Sequence, residues 1–211
     1  MDGRNITKLF EILEHDYDAT MDTELWFDSK YQLLIAIMLS AQSTDRQVNK
    51  ITKELFRQIK QPQDAMRLGF DGVNKLITSV NYHNGKAKHI VEMSKTLISE
   101  FGGEVPGTMD ELLRLSGVGR KTANLVLSIA YKQDAIAVDT HVFRVANRLG
   151  LTRAKNPFES EMQLKGAIQA DKQRLVNTLL IQHGRAICNA RKPKCEMCKF
   201  KDFCAFYKNK N

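Results

Sequence analysis

The feature that most constrains this fold is a glycine-containing break between two apolar helical segments. Residues 113–141 read LRLSGVGRKTANLVLSIAYKQDAIAVDTH. The run SGVG at 116–119 cannot continue a helix, because glycine tolerates positive φ and lowers helix stability. Apolar residues at helical spacing resume in 120–131. We therefore predict a short helix, a glycine turn, a second helix, and a loop ending at Asp139 before a third helix.

The glycine turn has two interpretations. Backbone N–H groups at a hairpin that leads into a helix N-terminus point outward, which suits a phosphate oxygen. The same hairpin could be only a tight connection between packed helices. Lys121 favours a functional site, because it lies in the first helical turn, where the helix dipole disfavours a cation. A destabilised ammonium deprotonates more easily, as a Schiff-base nucleophile requires. From its position alone, however, a contact to a phosphate is the favoured role of Lys121.

The remaining chain shows helical periodicity throughout. Residues 6, 9, 10 and 13 are apolar at the spacing of an amphipathic helix. Residues 31–41 are apolar nearly all round and predict a central buried helix. Ser43, Thr44 or Asp45 should cap the next helix, 81–85 should form a turn, and Gly150 should close the helix after Asp139. No strand pattern or repeat is present, so the predicted fold class is all-α.

Composition points to a polyanionic partner. The chain of 211 residues carries a net charge of +8, and 43% of its residues are hydrophobic. This is enough for one large domain or two modest ones. The start has no signal-peptide pattern, and the most apolar stretch, 33–41, is too short to span a membrane. We expect a cytoplasmic protein with no membrane partner.

Four cysteines lie in the last 24 residues, spaced as Cys188-x6-Cys195-x2-Cys198-x5-Cys204. This crowding predicts a ligand cluster rather than scattered disulfides. Four thiolates can bind tetrahedral zinc or a [4Fe–4S] cluster. Zinc sites more often pair two CxxC units, and here there is one. Residues 185–211 also hold eight basic and two acidic side chains, a net charge of +6.

These motifs together resemble the endonuclease III family of DNA glycosylases. The residues LSGVGRKTANLVL followed by AVDTHVFRVANRLG are similar to its helix-hairpin-helix and catalytic segment, and LLIAIMLSAQSTD at 33–45 extends the resemblance. The cysteine spacing matches the family's iron–sulfur motif at every interval. The resemblance implies two helical lobes separated by a cleft. Residues 24–133 would carry the hairpin, and 1–23 with 134–211 would carry the [4Fe–4S] loop at 188–204.

The resemblance also implies the chemistry. In the family the hairpin lysine is the nucleophile and the aspartate of the VDTH segment is its partner, and these positions are Lys121 and Asp139 here. Adenine glycosylases of the same superfamily lack the lysine, so Lys121 implies a bifunctional glycosylase/lyase. Asp139, directly before a predicted helix, is also a natural N-cap. The two roles are compatible, because capping would fix the carboxylate in place.

Other family positions imply contacts to damaged double-stranded DNA. A glutamine, here Gln42, plugs the gap left by the flipped nucleotide. A second wedge comes from the loop 81–86, where relatives usually have glycine, a large apolar residue and tyrosine. This chain has Asn81-Tyr82-His83. It departs at the glycine, and Tyr82 occupies the apolar position, from which it can stack on a base.

The hairpin and a basic loop complete the implied interface. The hairpin backbone would grip a phosphate, and its carbonyls could hold a monovalent cation. A basic loop between the first two cysteines would meet phosphates, although a solvated charge run is the alternative. The residues are Leu115, Gly117, Val118 and Gly119 in the hairpin, and Arg191, Lys192 and Lys194 in the loop.

We therefore expect a monomeric base-excision-repair enzyme that removes oxidised pyrimidines and nicks the strand through a lysine Schiff base. One alternative is a monofunctional glycosylase, in which Asp139 activates water and Lys121 only contacts phosphate. The other is a non-catalytic helix-hairpin-helix DNA-binding protein whose cysteines bind zinc.

Overall fold

The computed structural model describes residues 2–20 and 23–209, and all regular structure in these ranges is helical. This confirms the all-α prediction. The helices are α1 (Gly3–Asp16), α2 (Lys30–Ser40), α3 (Asp45–Gln58), α4 (Pro62–Leu76), α5 (His83–Phe101), α6 (Met109–Leu112), α7 (Arg120–Tyr131), α8 (Thr140–Leu149), α9 (Pro157–Ala167), α10 (Ala170–Gln173), α11 (Leu175–Ala186) and α12 (Ala205–Lys208), with a 3₁₀ turn at Cys195–Met197. Within the described ranges, no helix has both the length and the apolar character needed to cross a bilayer.

The chain divides into two compact units, Thr23–Tyr131 and Met1–Asp22 with Lys132–Asn211. In the first unit, α2 is the central element, and its residues 31–39 are all buried. It packs against α3, α5 and α7. A helix surrounded on every side must be apolar all round, which is the pattern that the sequence shows. The cleft that the resemblance implies between two lobes stays a prediction.

Capping residues set the ends of several helices. Ser29 caps α2 by accepting a hydrogen bond from the Gln32 N–H, and Thr44 caps α3 by accepting from the Gln47 N–H. Of the three candidate caps for α3, Thr44 is therefore the one used. Gly150 ends α8 in the left-handed conformation, with φ 82°, as expected from its position.

The predicted turn over 81–85 is shorter than expected. Tyr82 has φ 58° and ψ 31°, and α5 begins directly after it at His83. One residue in the left-handed region reverses the chain, so 83–85 belong to the helix. Left-handed backbone is uncommon outside glycine, and this sequence has no glycine there to signal it.

The second unit has its own core. α1 packs against α11, and α11 packs against α8. Leu9, Leu13, Val142 and Leu179 are completely buried in this core. Phe200, which lies between Cys198 and Cys204, is buried with them. The unit therefore fixes the start of α8 and the cysteine segment against one apolar cluster.

Candidate functional site

The hairpin between α6 and α7 presents backbone rather than side chains. Leu115 and Val118 are buried, and the Val118 N–H donates to the Leu115 carbonyl at 3.1 Å. Gly117 and Gly119 are exposed. Among the described residues, no backbone carbonyl accepts from the N–H of either glycine. The two amides are thus available to an acceptor from outside the chain, as the prediction of a phosphate site requires.

Gly117 is required at its position for two physical reasons. Its φ of 77° lies in the left-handed region. A Cβ built on it would lie 2.8 Å from the His89 Cβ and 2.8 Å from the Met38 Cε, closer than real Cβ atoms approach. The hairpin therefore touches both α2 and α5 at a point where only glycine fits.

A side-chain network also ties the hairpin to α5. Ser116 donates its hydroxyl to the Glu92 carboxylate at 2.6 Å, and the His89 Nδ1 lies 2.9 Å from the same hydroxyl oxygen. The hydrogen bond from Ser116 is the main reason that the pKa of Glu92 lies below its ordinary value. The start of the hairpin is thereby held in place from α5 by two side chains.

Lys121 lies in the first turn of α7, directly after the exposed amides, and its side chain is exposed. Within residues 2–20 and 23–209, it has no ion pair and no side-chain hydrogen bond. The helix dipole at this end disfavours its charge. No contact in the described residues gives this lysine a stabilising role, which favours the interpretation that it contacts a ligand.

Asp139 is the N-cap of α8, as the sequence predicted. Its Oδ1 accepts from the Val142 N–H at 2.7 Å, and the side chain is half-buried. In the described part of the chain, Oδ2 accepts no hydrogen bond. The cap therefore orients the carboxylate while one oxygen stays open to a proton or a cationic centre.

Asn177 positions the segment before Asp139, and sequence reasoning missed it. The Ala137 N–H donates to the Asn177 Oδ1 at 2.8 Å, and the Asn177 Nδ2 donates back to the Ala137 carbonyl. Asn177 is buried on α11, among apolar neighbours. A buried amide in an apolar helix needs partners, so this residue could have been flagged as a clamp on an extended segment.

Gln42 and Tyr82 come from different loops that the structure places together. Both side chains are exposed, with Tyr82 70% exposed. Both residues have φ 58°. The Asn81 Nδ2 donates to the Gln42 carbonyl at 2.7 Å and so joins the two loops. The predicted plug and the predicted wedge are therefore neighbours on the surface of the first unit.

The four cysteines line one cavity and form no disulfide. The cavity encloses about 330 Å³ of atom-free space, part of it open to solvent. Burial is the main reason that the pKa of Cys198 is raised to about 11, and the neighbouring cysteines act in the same direction. Burial also raises the pKa of Cys204. Thiols gathered in this cavity lose their protons only when positive charge compensates them, and a metal centre would supply that charge.

The four cysteines are a possible ligand set for a metal centre. The described ranges contain no group of three or more His, Cys, Asp or Glu side chains already arranged around one metal ion. Four cysteine thiolates are the ligands of either a tetrahedral zinc ion or an iron–sulfur cluster.

Two arginines on α8 organise the backbone around Cys188. Arg148 donates to the carbonyls of Asn189 at 2.7 Å and Ala190 at 2.8 Å. Arg144 donates to the Cys188 carbonyl at 3.1 Å. These basic side chains therefore hold the protein's own loop. Their spacing of four residues on one helix face was the available sequence signal.

His183 is a buried contact of the cysteine cavity. Its Nε2 lies 3.8 Å from the Cys198 Sγ, and its Nδ1 lies 3.0 Å from the Tyr17 hydroxyl. Burial lowers the pKa of His183 to about 4. Phe200 packs edge-on against the ring, with 4.9 Å between centroids. Aromatic packing therefore holds this segment in place, in addition to any ligand that the cysteines bind.

The basic side chains of the loop between Cys188 and Cys195 take no part in these internal networks. Arg191, Lys192 and Lys194 are all exposed. None of the three has an ion pair within the described residues. Their charges are therefore free to meet an external anion.

Comparisons with known proteins agree on one family. A family model described as HhH-GPD superfamily base excision DNA repair protein matches residues 35–169. Endonuclease III of Rickettsia felis is 43% identical over 98% of this chain and 97% of its own length. Endonuclease III of Escherichia coli K12 is 43% identical over 96% and 97%. A solved structure of a trapped endonuclease III–DNA covalent intermediate, an estranged-adenine complex, matches with a TM-score of 0.92 and 37% identity, covering 100% of this chain and 99% of that one.

The constraint at Gly117 leads to a testable expectation. Gly117→Ala should lower the free energy of unfolding by about 1–3 kcal/mol, because alanine is strained at this φ and its Cβ meets two neighbours. Gly119→Ala is the matched control, since its Cβ would have no atom within 4 Å and its φ is not positive. Urea unfolding of both variants checks this. Equal losses in the two variants would contradict the assigned constraint.

Proposed function

This chain belongs to the endonuclease III family of HhH-GPD base-excision DNA repair proteins, and from that membership we propose that Lys121 is its nucleophile and Asp139 the partner carboxylate. The protein is a DNA glycosylase/AP lyase that acts on DNA in base excision repair. Oxidised pyrimidines in duplex DNA are the proposed substrates. We propose that it acts in the cytoplasm, where it would lie on nucleoid DNA.

The position of Lys121 carries the proposal. An exposed lysine without a partner in the described residues follows directly after two unbonded hairpin amides. A phosphate held at those amides would bring the sugar–phosphate backbone close to the amine. The similarity to a structure titled as a trapped covalent intermediate supports a covalent route.

The proposed reaction begins when the neutral amine of Lys121 forms a bond to C1′ of the damaged nucleotide. The base leaves with the electron pair of the glycosidic bond, and the sugar ring opens to an imine at C1′. The imine acidifies the C2′ proton. Loss of that proton expels the 3′ phosphate by β-elimination, which breaks the C3′–O3′ bond and nicks the strand. Water then hydrolyses the imine and frees the Lys121 amine.

Asp139 supplies the charge that this route requires. A carboxylate can accept the amine proton and stabilise positive charge developing on the sugar. The hydrogen bond from the Val142 N–H holds Oδ1, so Oδ2 is the oxygen that we assign to the reaction. Capping thus keeps the reactive oxygen oriented before substrate binds.

The DNA contacts follow from exposure and charge. The amides of Gly117 and Gly119 bind a phosphate oxygen, and the hairpin carbonyls can hold a monovalent cation. Gln42 and Tyr82 fill the space vacated by the flipped nucleotide. Arg191, Lys192 and Lys194 contact phosphates, and each contact steepens the salt dependence of binding. The proposed binding unit is a monomer on damaged double-stranded DNA.

A [4Fe–4S] cluster bound by Cys188, Cys195, Cys198 and Cys204 is the proposed cofactor. Its iron supplies positive charge that stabilises the buried thiolates and fixes the loop bearing the basic residues. It takes no part in the proposed bond changes. Family membership sets aside the non-catalytic alternative, whereas the monofunctional alternative differs in having no covalent step.

The covalent step is tested by borohydride trapping on a duplex with one abasic site. Wild type should form a protein–DNA adduct, and Lys121→Ala should form none and cleave on the order of a thousandfold more slowly. Lys95→Ala, an exposed lysine on α5, should trap like wild type. Base release without an adduct from wild type would establish the monofunctional alternative.

The two roles of Asp139 can be separated by substitution. Asp139→Asn should keep the cap of α8, because asparagine caps helices as well as aspartate, yet slow cleavage by about 10²–10⁴-fold. Asp139→Ala should also lower the free energy of unfolding by about 1 kcal/mol. Single-turnover kinetics and urea unfolding measure the two effects. Undiminished cleavage by Asp139→Asn would limit Asp139 to capping.

The cofactor is tested by metal analysis of the protein purified without oxygen. We expect about four irons and four sulfides per chain and visible absorbance from thiolate-bound iron. Cys198→Ser should lower the iron content and the absorbance. One zinc per chain, with no iron, would overturn the assignment.

A further inference from the structure

Two loops in the first unit carry the side chains proposed to enter DNA. We call residues 41–44 the plug loop, which carries Gln42, and residues 79–82 the wedge loop, which carries Tyr82. The loops are separated in sequence by all of α3 and α4. Gln42 and Tyr82 nevertheless share a left-handed backbone conformation and exposed side chains.

Three side chains bridge the two loops. The Asn81 Nδ2 donates to the Gln42 carbonyl at 2.7 Å. The Gln47 Nε2, on α3, donates to the Ser79 carbonyl. The Lys86 Nζ donates to the carbonyls of Leu39 at 2.8 Å and Ala41 at 2.7 Å. Each bridge runs from the segment around one loop to the backbone of the other.

Lys86 is the buried member of this set. Only 8% of its surface is exposed, and burial lowers its pKa. Its ammonium meets the carbonyls at the C-terminus of α2, where the helix dipole is negative and the carbonyls lack helical partners. Lys86 also lies in the first two turns of α5, the helix that begins directly after Tyr82. The end of α2 and the start of α5 are therefore fixed to each other.

Asn81 supplies the donor from the wedge loop. Its backbone is not in the left-handed region, so the position does not require glycine. The bond from its Nδ2 to the Gln42 carbonyl needs the carboxamide, and a residue without a side chain could not make it.

We propose that Asn81 and Lys86 join the plug loop and the wedge loop into one preorganised element, so that Gln42 and Tyr82 enter the DNA as a coupled pair. The proposal rests on the roles assigned above to Gln42 and Tyr82. Because both backbones are already fixed, less conformational freedom is lost when DNA binds. Asn81 is a positioning residue in this scheme.

The first test measures amide hydrogen exchange in the free protein. Asn81→Asp keeps the shape but removes the donor. It should speed exchange several-fold at two amides, the Ser43 N–H in the plug loop, bonded to the Ser40 carbonyl at 3.1 Å, and the Val80 N–H in the wedge loop, bonded to the Ile77 carbonyl at 3.0 Å. Faster exchange in the wedge loop alone would overturn the coupling.

Asn84→Asp is the matched control. It adds the same charge to the same region, and its oxygen can still accept from the Asn74 Nδ2, as Asn84 does at 2.9 Å. Exchange at Ser43 should be unchanged in this variant. Unchanged exchange at the amides of the buried α2 core in both variants shows that the fold is intact.

The second test measures binding to a duplex that contains a stable abasic-site analogue. Gln42→Asn and Tyr82→Asn shorten each side chain, and asparagine tolerates the left-handed backbone. When Asn81 is present, the double variant should lose less affinity than the product of the two single losses, because either single change already disturbs the coupled pair. In Asn81→Asp, itself about threefold to tenfold weaker, the losses should multiply.

These outcomes distinguish failure of the proposed function from failure of the proposed coupling. Wild type that fails to prefer the abasic duplex and forms no borohydride adduct would remove the proposed function. Wild type that does both, with losses that multiply in both backgrounds, would overturn the coupling alone. Equal weakening of binding by Asn84→Asp would assign the effect of Asn81→Asp to charge.

Discussion

Burial of α2 on every side is the constraint on which the first unit depends. α5 and α7 pack on this helix, and its Met38 lies against the point where the hairpin turns. Its C-terminus carries Gln42 and receives the ammonium of Lys86. A helix this apolar cannot shift without exposing its surface to water. Each segment proposed to meet DNA in this unit is therefore anchored, directly or through a neighbouring helix, to α2.

The second unit follows a different principle, in which functional groups also hold the fold together. Asp139 caps α8, and Asn177 clamps the segment that leads to it. Arg144 and Arg148 bind the backbone carbonyls near Cys188. The loop between the first two cysteines keeps three exposed basic side chains without an ion pair in the described residues. A count of basic residues in the sequence therefore overstates the charge available to an interface, because some of these side chains bind the protein's own backbone.

Local signals in the sequence predicted the helices and their caps. The spacing of apolar residues located α1 and α2, and the caps at Asp139 and Gly150 followed from residue type. For α3 the sequence left three candidate caps, of which the structure uses Thr44. The side-chain bridges could not be predicted in this way. Lys86 reaches the Leu39 carbonyl across 47 positions, and Asn177 reaches Ala137 across 40. A bond between a side chain and a distant carbonyl leaves no periodic trace, so the sequence can mark a buried polar residue such as Asn177 but only the folded structure identifies its partner.

The different dependence of Asp139 and Lys121 on the fold has a consequence for how such chains change over time. If catalysis were lost, position 139 would still be selected for aspartate, asparagine, serine or threonine, because α8 needs a cap. No comparable demand acts on Lys121, which has no partner in the described residues and opposes the helix dipole. Selection for stability alone would favour another residue at position 121. In descendants of this fold, survival of the lysine is therefore a clearer sign than survival of the aspartate that the proposed chemistry persists.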